Sequence, residues 1–506
     1  MRRRRCSLGV WTIAFCTLSV ARLQAEDLIV SDTLTISAPV TYDNVTVSPT
    51  GQLTIDAEFT VAIAMTIENG GRVWHSDYDG GPIYRLELTI EPGGLLDIQQ
   101  GGAIDVSGRG LRGGRHGSNL LQGEGYDSTG TTISRITGRA CGGSYGGLGA
   151  IWYDQIGGPV YGFAEEPNHY GSGGGLGANA YISGLDGGGL VRINADGATV
   201  RVDGAIRANG LNGRNDTDGG GAGGGIKITC ASLTGSGNIE AFGGDEFPDN
   251  SFSGAGGGGG RIAVYYESTN DLSDTQFNAT GGGAVGIAGR NGNGGAGTIY
   301  IKQEGVDPVG RLVIAGRYSQ FESPLRILTP QVKSLEVRGG TAMVIGRDLN
   351  IDGVPDTLST QEVTIIKTSS SVRISDSVAL SMLGSCQVNG NAILTLGPGC
   401  LLSILGDPGT DLAVEASSTV TLGPGSTLLA DRMQVDASTL TANGGIFGIS
   451  GADNTLVLQS GTVFNCNGPF AVQNLGVHSN SIVNINEALT VEGQFAVDTG
   501  GALKRP

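Results

Sequence analysis

Apolar and polar residues alternate along this chain in short runs of four or five residues. Residues 53–56 (LTID) and 86–90 (LELTI) show the pattern, and turn signals such as residues 49–51 (PTG) separate one run from the next. Alternation with a period of two places every second side chain on the same face of a β-strand. Residues 26–506 contain no convincing amphipathic helix pattern, so the sequence predicts an all-β protein.

The runs recur at a fixed period in the centre of the chain. Four strand-like segments follow glycine runs, and their first apolar residues are spaced by 36, 36 and 37 residues: Leu190, Ile226, Ile262 and Ile299. A second short segment accompanies them, with copies at residues 204–210 and 237–243, an earlier copy at 102–108 and a worn one at 277–281. Such a period is typical of stacked repeats, in which each unit buries its apolar face only against its neighbours.

The final third of the chain returns to the style of the beginning. Residues 394–399 (LTLGPG) and 420–425 (VTLGPG) are near copies placed 26 residues apart. Composition divides the chain into a signal peptide at 1–25, N-terminal β coils at 26–100, a glycine-rich repeat region with a period of about 36 at 101–302, a connector at 303–330 and C-terminal β coils at 331–506.

These strands, turns and glycine-rich joints resemble those of the right-handed parallel β-helix proteins that bacteria secrete or display, including glycine-rich, adhesin-like surface proteins. The resemblance covers most of residues 30–500 and rests on the rhythm of strands and turns. It implies an elongated solenoid whose inward side chains form ladders from coil to coil. An array of two-sheet β-sandwiches is the structural alternative.

Glycine is the outlier of the composition. It occupies 90 of 506 positions, and 57 of these lie within residues 101–300, whereas about 7% glycine is usual. The glycines punctuate apolar strands and 39% of the residues are hydrophobic, so the chain can bury a core. The glycine runs are predicted to form either a layer of polyproline-II-like strands or loops that flank the coils.

The first 25 residues have the three-part plan of a secretory signal peptide. A positive block at residues 2–5 precedes an apolar stretch at residues 8–20, and small residues fit cleavage after Ala21 or Ala25. The apolar stretch is shorter than the roughly 20 residues that span a bilayer. We therefore expect a secreted, extracellular or cell-surface protein without a transmembrane segment in its mature chain. An uncleaved membrane anchor is the alternative.

The charge of the mature chain argues against nucleic acid as a partner. Cleavage removes five arginines and leaves 26 basic and 48 acidic residues, a formal net charge of −22, which repels a phosphate backbone. Five cysteines remain, far apart and without a CxxC spacing: Cys141, Cys230, Cys386, Cys400 and Cys466. They exclude a disulfide-dense scaffold and a recognisable zinc or iron–sulfur site. Cys386 and Cys400 form either one bridge or two buried thiols.

One segment resembles the first half of a calcium-binding loop. Asp348, Asn350 and Asp352 alternate before a glycine, and Asp356 follows; this alternation aims oxygen ligands inward, and the glycine allows a sharp turn. The twelfth position holds Ser359, where such loops hold a bidentate glutamate. The alternative is an ordinary coil strand and turn. Calcium is the one cofactor that the sequence suggests.

An aromatic-rich insert interrupts the repeat between residues 151 and 170. Ring faces stack on the apolar faces of sugars and carboxylates bind hydroxyls, so the insert is a candidate saccharide-binding surface. Its candidate ligand-binding residues are Trp152, Tyr153, Tyr161, His169 and Tyr170. Residues 74–84 form a similar cluster. The alternative is a loop that packs a small core of its own over the coils.

Catalysis finds little support in the sequence. Parallel β-helices include polysaccharide lyases and hydrolases, but residues 114–117 (GRHG) and 226–228 (IKI) resemble the polygalacturonase motifs only superficially, and the aspartate motifs are absent. The acidic residues of the glycine-rich turns are predicted to be solvated: Asp216, Asp218, Asp245, Glu246 and Asp249.

The sequence therefore predicts an extracellular or cell-surface protein with a structural or adhesive role and no catalytic activity. Its expected partners are polysaccharides or cell-surface components. The alternatives are a carbohydrate-binding protein and a β-helical polysaccharide lyase or glycoside hydrolase.

Overall fold

The chain folds almost entirely into β-strands. The computed structural model describes residues 26–505, apart from residues 118, 152–154, 178–184, 214–217, 247–253, 284–291, 318, 320, 347, 405–410 and 449–453. Strands make up 46% of the chain, and the described residues contain one 3-10 turn, Asp274–Gln276, but no α-helix. The all-β prediction is confirmed. The predicted signal peptide lies outside the described residues.

The strands are short, and their order along the chain is as follows. The strands before the connector are β1 (Leu28–Val30), β2 (Thr33–Ile36), β3 (Val40–Val47), β4 (Gln52–Ile55), β5 (Phe59–Ile67), β6 (Arg72–Trp74), β7 (Leu86–Ile90), β8 (Leu95–Ile98), β9 (Ala103–Asp105), β10 (Gly123–Tyr126), β11 (Ile133–Thr137), β12 (Leu190–Val202), β13 (Ala205–Arg207), β14 (Gly225–Thr234), β15 (Asn238–Glu240), β16 (Arg261–Asn270), β17 (Phe277–Asn278) and β18 (Thr298–Gln303).

The later strands are shorter still, most of them four residues long. They are β19 (Arg311–Ala315), β20 (Ser323–Pro324), β21 (Gln331–Val332), β22 (Leu335–Arg338), β23 (Ala342–Ile345), β24 (Thr357–Thr360), β25 (Thr364–Lys367), β26 (Ser371–Ile374), β27 (Ala379–Met382), β28 (Cys386–Asn389), β29 (Ile393–Leu396), β30 (Leu401–Ile404), β31 (Leu412–Val414), β32 (Thr419–Leu422), β33 (Ser426–Leu429), β34 (Arg432–Asp436), β35 (Thr439–Phe447), β36 (Thr455–Gln459), β37 (Val463–Val472), β38 (Asn474–Val477), β39 (Ile482–Ile485), β40 (Leu489–Val491), β41 (Phe495–Val497) and β42 (Ala502–Lys504).

Three large sheets run along the molecule, because the chain returns to each of them coil after coil. An 18-stranded sheet contains β1, β3, β5, β7 and their later counterparts through β41. A seven-stranded sheet contains β2, β4, β6, β9, β13, β15 and β17, and a 15-stranded sheet serves the C-terminal part. Among the described residues, only the pairs β10–β11 and β18–β19 are antiparallel. Sandwich domains consist of antiparallel sheets, so the parallel pairings do not support the β-sandwich alternative.

Inward ladders of apolar side chains build the core. Val45, Met65, Leu96, Val200 and Leu233 lie side by side in register, and each is at most 1% exposed. Successive residues of a strand point to opposite faces, so the alternation seen in the sequence separates this ladder from the polar outer surface. Each coil buries its apolar residues against the coils on either side.

The seven-stranded sheet confirms the second short segment of the predicted repeat. Ile104, Ile206, Ile239 and Phe277 occupy equivalent positions in parallel register. Both the earlier copy and the worn copy therefore belong to the repeat.

The first segment of the repeat needs a correction of one residue. The partner of Ile226 is Val191, not Leu190. Because neighbouring residues of a strand face opposite ways, Val191 enters the core and Leu190 faces outward, where it packs into a cluster of tyrosines.

The glycine runs form an ordered layer of hydrogen-bonded backbone. In residues 219–224, successive N–H groups donate in turn to three neighbouring segments, at residues 172–175, 255–258 and 208–211. The donor–acceptor pairs are Gly219–Gly175 (2.9 Å), Gly220–Ala255 (2.9 Å), Gly221–Leu211 (2.9 Å), Ala222–Ser172 (2.8 Å), Gly223–Gly258 (3.0 Å) and Gly224–Ala208 (2.7 Å). The direction of the N–H groups recurs every third residue, as it does in a polyproline II helix, which has three residues per turn. Of the two arrangements predicted for the glycine runs, the structure therefore shows the layer of polyproline-II-like strands and not the flanking loops.

Close approach of backbones explains why these positions hold glycine. A Cβ on Gly220 would lie 2.0 Å from the carbonyl oxygen of Gly244, and a Cβ on Gly223 would lie 2.0 Å from that of Ala241. None of the glycines in residues 219–225 has a positive φ, so turn conformation is not the reason. Ala222, the exception in the run, is fully buried against the tyrosine cluster instead of another backbone.

The connector reverses the chain once before stacking resumes. Strand β18 pairs with β19 in antiparallel register, with Ile299 opposite Val313, and β19 then pairs with β22 in parallel. Farther along, the two near copies of the sequence lie in adjacent coils, with Leu394 beside Val420. The two near copies are therefore equivalent strands of successive coils.

The cysteines lie inside the stack. Cys230, Cys386, Cys400 and Cys466 are buried free thiols, and Cys141 is buried as well. Burial raises the pKa of Cys386 to about 12. Of the two possibilities for Cys386 and Cys400, the structure shows two buried thiols.

Candidate functional site

The aromatic insert turns its rings into the protein. Tyr161 and Tyr170 are fully buried. The hydroxyl of Tyr161 donates to the carbonyl oxygen of Tyr170 at 2.7 Å, and the hydroxyl of Tyr170 donates to the carbonyl oxygen of Tyr84. A buried ring cannot stack on a sugar, so Tyr161 and Tyr170 are corrected from a binding surface to the core of the insert. Trp152 and Tyr153 lie outside the described residues.

His169 belongs to the same cluster. Its ring centre lies 5.0 Å from that of Tyr126 and 5.7 Å from that of Tyr161, and its Nε2 donates to the carbonyl oxygen of Gly130 at 3.0 Å. Burial lowers the pKa of His169, which favours the neutral imidazole. Sequence reasoning missed Tyr126 and Tyr145, because they lie outside the insert and carry no motif.

A buried arginine fixes the insert to the strands beneath it. The Nε and Nη2 groups of Arg261 donate to the carbonyl oxygen of Tyr161 at 3.2 and 3.0 Å, and Nη1 donates to Oγ1 of Thr298 at 3.1 Å. The guanidinium carbon lies 5.4 Å from the ring centre of Tyr145, within cation–π range. Burial lowers the pKa of Arg261 to about 10, so the group stays charged at neutral pH. Its contacts are with the protein itself, which indicates a structural role.

Two glutamates attach the insert to its surroundings. The carboxylate of Glu165 accepts the N–H of Leu328 at 3.0 Å, which joins the insert to the connector. Glu166 forms ion pairs with Lys227 and Arg192 on the outer face of the 18-stranded sheet. The insert therefore covers this face of the glycine-rich coils.

The second aromatic cluster, residues 74–84, contains a buried histidine. The Nδ1 of His75 donates to the carbonyl oxygen of Ser76 at 2.7 Å, and its Nε2 accepts the N–H of Leu190 at 3.1 Å. Burial lowers the pKa of His75 to about 4. Beside it, the guanidinium of Arg109 covers the ring of Trp74 at 4.8 Å. Protein groups therefore engage both side chains.

The predicted calcium loop satisfies its oxygen atoms with its own backbone. The carboxylate and amide oxygens accept N–H groups as follows: Asp348 from Asp352 (3.1 Å) and Gly353 (3.0 Å), Asn350 from Asp352 (3.2 Å), Asp352 from Val354 (2.7 Å), and Asp356 from Leu349 (2.7 Å). The contacts of Asn350 and Asp352 with the N–H two residues ahead are Asx-turn contacts. Residues 349–351 form a bend and not the coil strand that the alternative predicts. Within the described ranges, no group of three or more His, Cys, Asp or Glu side chains could hold a metal ion.

The acidic residues of the glycine-rich turns are more buried than predicted. Asp218 is 0% exposed and Glu246 is 2% exposed. Burial raises the pKa of Glu246 to about 7. The prediction of solvated acids is therefore wrong for Asp218 and Glu246, because the glycine layer packs around them. Asp216 and Asp249 lie outside the described residues.

An aspartate–histidine pair stands at the edge of the glycine layer. The Oδ2 atom of Asp186 lies 2.8 Å from Nδ1 of His116, and Oδ1 accepts the N–H of Gly113 at 2.6 Å. The hydrogen bond that His116 donates to the carboxylate of Asp186 raises the pKa of His116. The aspartate holds Nδ1 of a partly exposed imidazole, which is the orientation that general-base chemistry requires. The pair of His116 and Asp186 is therefore the candidate general base for an enzymatic function.

The chain was compared with protein-family models, curated proteins and solved structures. No protein-family model matches the chain, and neither a curated protein nor a solved structure matches it. In the part of the chain that the structure describes, no helix has the length and apolar character needed to cross a membrane.

Proposed function

We propose that this chain is an extracellular or cell-surface protein with a structural or adhesive role and no catalytic activity. The observation that carries the proposal is the repetition of outward side chains along the C-terminal coils. Thr395, Thr421, Thr441, Asn465 and Asn484 form one rank on the 15-stranded sheet, each in register with the next. All five are partly exposed, so the rank presents hydroxyl and amide groups to the surroundings.

Hydrogen bonds order the amide part of this surface. The Nδ2 of Asn484 donates to Oδ1 of Asn465 at 2.8 Å, Asn486 donates to Asn467 at 2.7 Å, and Asn467 donates to Asn443 at 3.3 Å. Neighbouring strands lie about 4.8 Å apart, so equivalent polar groups recur at a constant spacing. A surface of equivalent sites suits a repeating polymer, because many weak contacts add to a high overall affinity.

We further infer that the coils wind as a right-handed parallel β-helix. The parallel register of the sheets supports this inference, since parallel crossover connections are right-handed in about 98% of cases. The predicted signal peptide and the net charge of −22 after its cleavage support an extracellular location.

A binding and cleavage assay tests the proposed function. The mature chain is incubated with cell-wall and algal polysaccharides, and loss of protein from solution and release of new sugar ends are measured in the same tubes. Loss without new ends is expected for an adhesive protein. The Thr421→Glu, Thr441→Glu double variant should bind less than the matched Ser381→Glu, Ser403→Glu variant, which alters a neighbouring row of the same sheet.

The His116–Asp186 pair is the observation that favours a catalytic alternative. A general base at His116 predicts release of new sugar ends that the His116→Ala variant abolishes. Release of new ends by the wild-type chain would overturn the proposal of a protein without catalytic activity.

A further inference from the structure

A depression with polar and apolar lining residues lies on the outer face of the 18-stranded sheet, where β28, β31 and β34 run side by side. Its volume is about 230 Å³. Ala413 forms the floor, because it stands in register between Gln387 and Gln434. The two glutamines extend beyond the small alanine side chain on either side, which leaves a hollow one residue wide.

The rim of this depression brings together groups that donate and accept hydrogen bonds. Ser385, Asp411 and Arg432 line one end of the three strands, and Glu415 lines the other. A carboxylate at each end, two amides, a hydroxyl and a guanidinium thus surround the floor. The depression lies more than 200 residues along the chain from the aromatic insert and shares no residue with it.

Asp411 shows that the depression is a built site. The residue is only 2% exposed. Its Oδ2 accepts the backbone N–H of Arg432 at 2.5 Å, whereas its Oδ1 is buried and accepts no hydrogen bond from the described residues. A buried acceptor without a donor is unfavourable, and such groups in native proteins call for an explanation. A ligand hydroxyl that donates to Oδ1 would supply the missing hydrogen bond.

The chemistry of the rim selects the class of ligand. The two carboxylates disfavour an anion, and the described residues show no cluster of ligands for a metal ion. The lining side chains include no aromatic ring, which disfavours a large apolar ligand. The volume is below the range of about 300–1,000 Å³ typical of sites for drug-sized molecules. These properties fit a small neutral molecule with several hydroxyl groups.

We propose that this depression binds one neutral sugar unit, with a sugar hydroxyl donating to Oδ1 of Asp411 and with the amides of Gln387 and Gln434 bonding to neighbouring hydroxyls. The site is independent of the adhesive role, because a purely structural protein with this depression would bind the same sugar. It also differs from the saccharide surface that the sequence predicts at residues 151–170.

The experiment uses the full mature chain and methyl glycosides of glucose, galactose, mannose, N-acetylglucosamine and glucuronic acid. Binding is measured by saturation-transfer NMR and by titration at millimolar sugar. Ala413→Leu fills the depression without removing a hydrogen-bonding group and should abolish binding. Ala471→Leu is the matched control, since Ala471 also faces outward from the sheets, and it should bind like the wild type.

The Asp411→Ala variant tests the proposed contact itself. It should weaken binding at least tenfold, with thermal unfolding used to confirm that the variant is folded. Binding of neutral glycosides that Ala413→Leu abolishes supports the site. The proposal is overturned if no neutral glycoside binds the wild type, if only the glucuronide binds, or if Ala413→Leu binds as well as Ala471→Leu.

Discussion

Replacing Gly223 by alanine tests the close packing of the glycine layer. The new Cβ would lie 2.0 Å from the carbonyl oxygen of Ala241 and 2.6 Å from the backbone nitrogen of Gly260. These two groups form a hydrogen bond with each other, since the N–H of Gly260 donates to the carbonyl oxygen of Ala241 at 2.7 Å. The methyl group therefore coincides with a buried hydrogen bond, and it fits only if the two segments move apart.

The expected cost follows from these contacts. Opening a buried backbone hydrogen bond costs about 1–3 kcal/mol, and overpacking a close-packed region costs about 1–3 kcal/mol more. Alanine also restricts the unfolded chain, which offsets about 0.4–1 kcal/mol. We expect the Gly223→Ala variant to lose about 1–5 kcal/mol of the free energy of unfolding.

Gly346→Ala is the matched control for this experiment. A Cβ at Gly346 meets nothing within 4 Å, and its φ lies outside the positive range, so this variant should be unchanged or more stable by up to about 1 kcal/mol. Urea unfolding followed by circular dichroism compares the two variants with the wild type. Equal unfolding midpoints for Gly223→Ala and Gly346→Ala would refute the reasoning, because the layer would then accommodate a methyl group.

Three further predictions concern charged and titratable groups. The pKa of His75 is about 4 in the folded state and near 6.5 in the unfolded state, so the unfolded state binds more protons between these two pH values. The free energy of unfolding should therefore fall by up to about 3 kcal/mol from pH 6.5 to pH 4. The His75→Gln variant should show a smaller fall over the same pH range. Arg261→Met should cost about 2–3 kcal/mol in urea unfolding, because it removes the charged donors that bond to Tyr161 and Thr298. Arg317→Met breaks an exposed ion pair and should cost less than about 1 kcal/mol. Equal losses for the two variants would contradict the structural role of Arg261. Asp348→Ala should lower stability by about 1 kcal/mol with calcium or with chelator; a calcium-dependent rise in melting temperature that this variant abolishes would instead support the predicted calcium loop.

The sequence predicts the repeat well where strands are short and regularly spaced. The positions of Ile206, Ile239 and Phe277 follow from the recurrence of the short segment in the sequence, because each coil must bring one apolar residue to the same place in the core. The one-residue error at Leu190 has a physical cause. Leu190 is apolar because it packs into the tyrosine cluster, and apolar character alone does not separate that outer cluster from the core.

The sites are less predictable than the fold, because they depend on contacts between distant segments. Tyr161 and Tyr170 have the composition of a sugar-binding surface, yet Arg261 and Tyr145 help to pack the insert inward. Neither partner belongs to the insert. Asp411 lies in no motif at all, and its unpartnered oxygen becomes visible only when the three strands are placed side by side.

Amide hydrogen exchange of the mature chain tests the central claim, that the glycine runs form an ordered hydrogen-bonded layer which joins the stacked coils. Mass spectrometry would follow peptides that cover residues 219–224 and 255–260, with strands β14 and β16 as internal references. Amides held in these hydrogen bonds open only with the surrounding structure, so the account predicts that both glycine segments exchange as slowly as the two strands. Exchange at the rate of an exposed loop would contradict it.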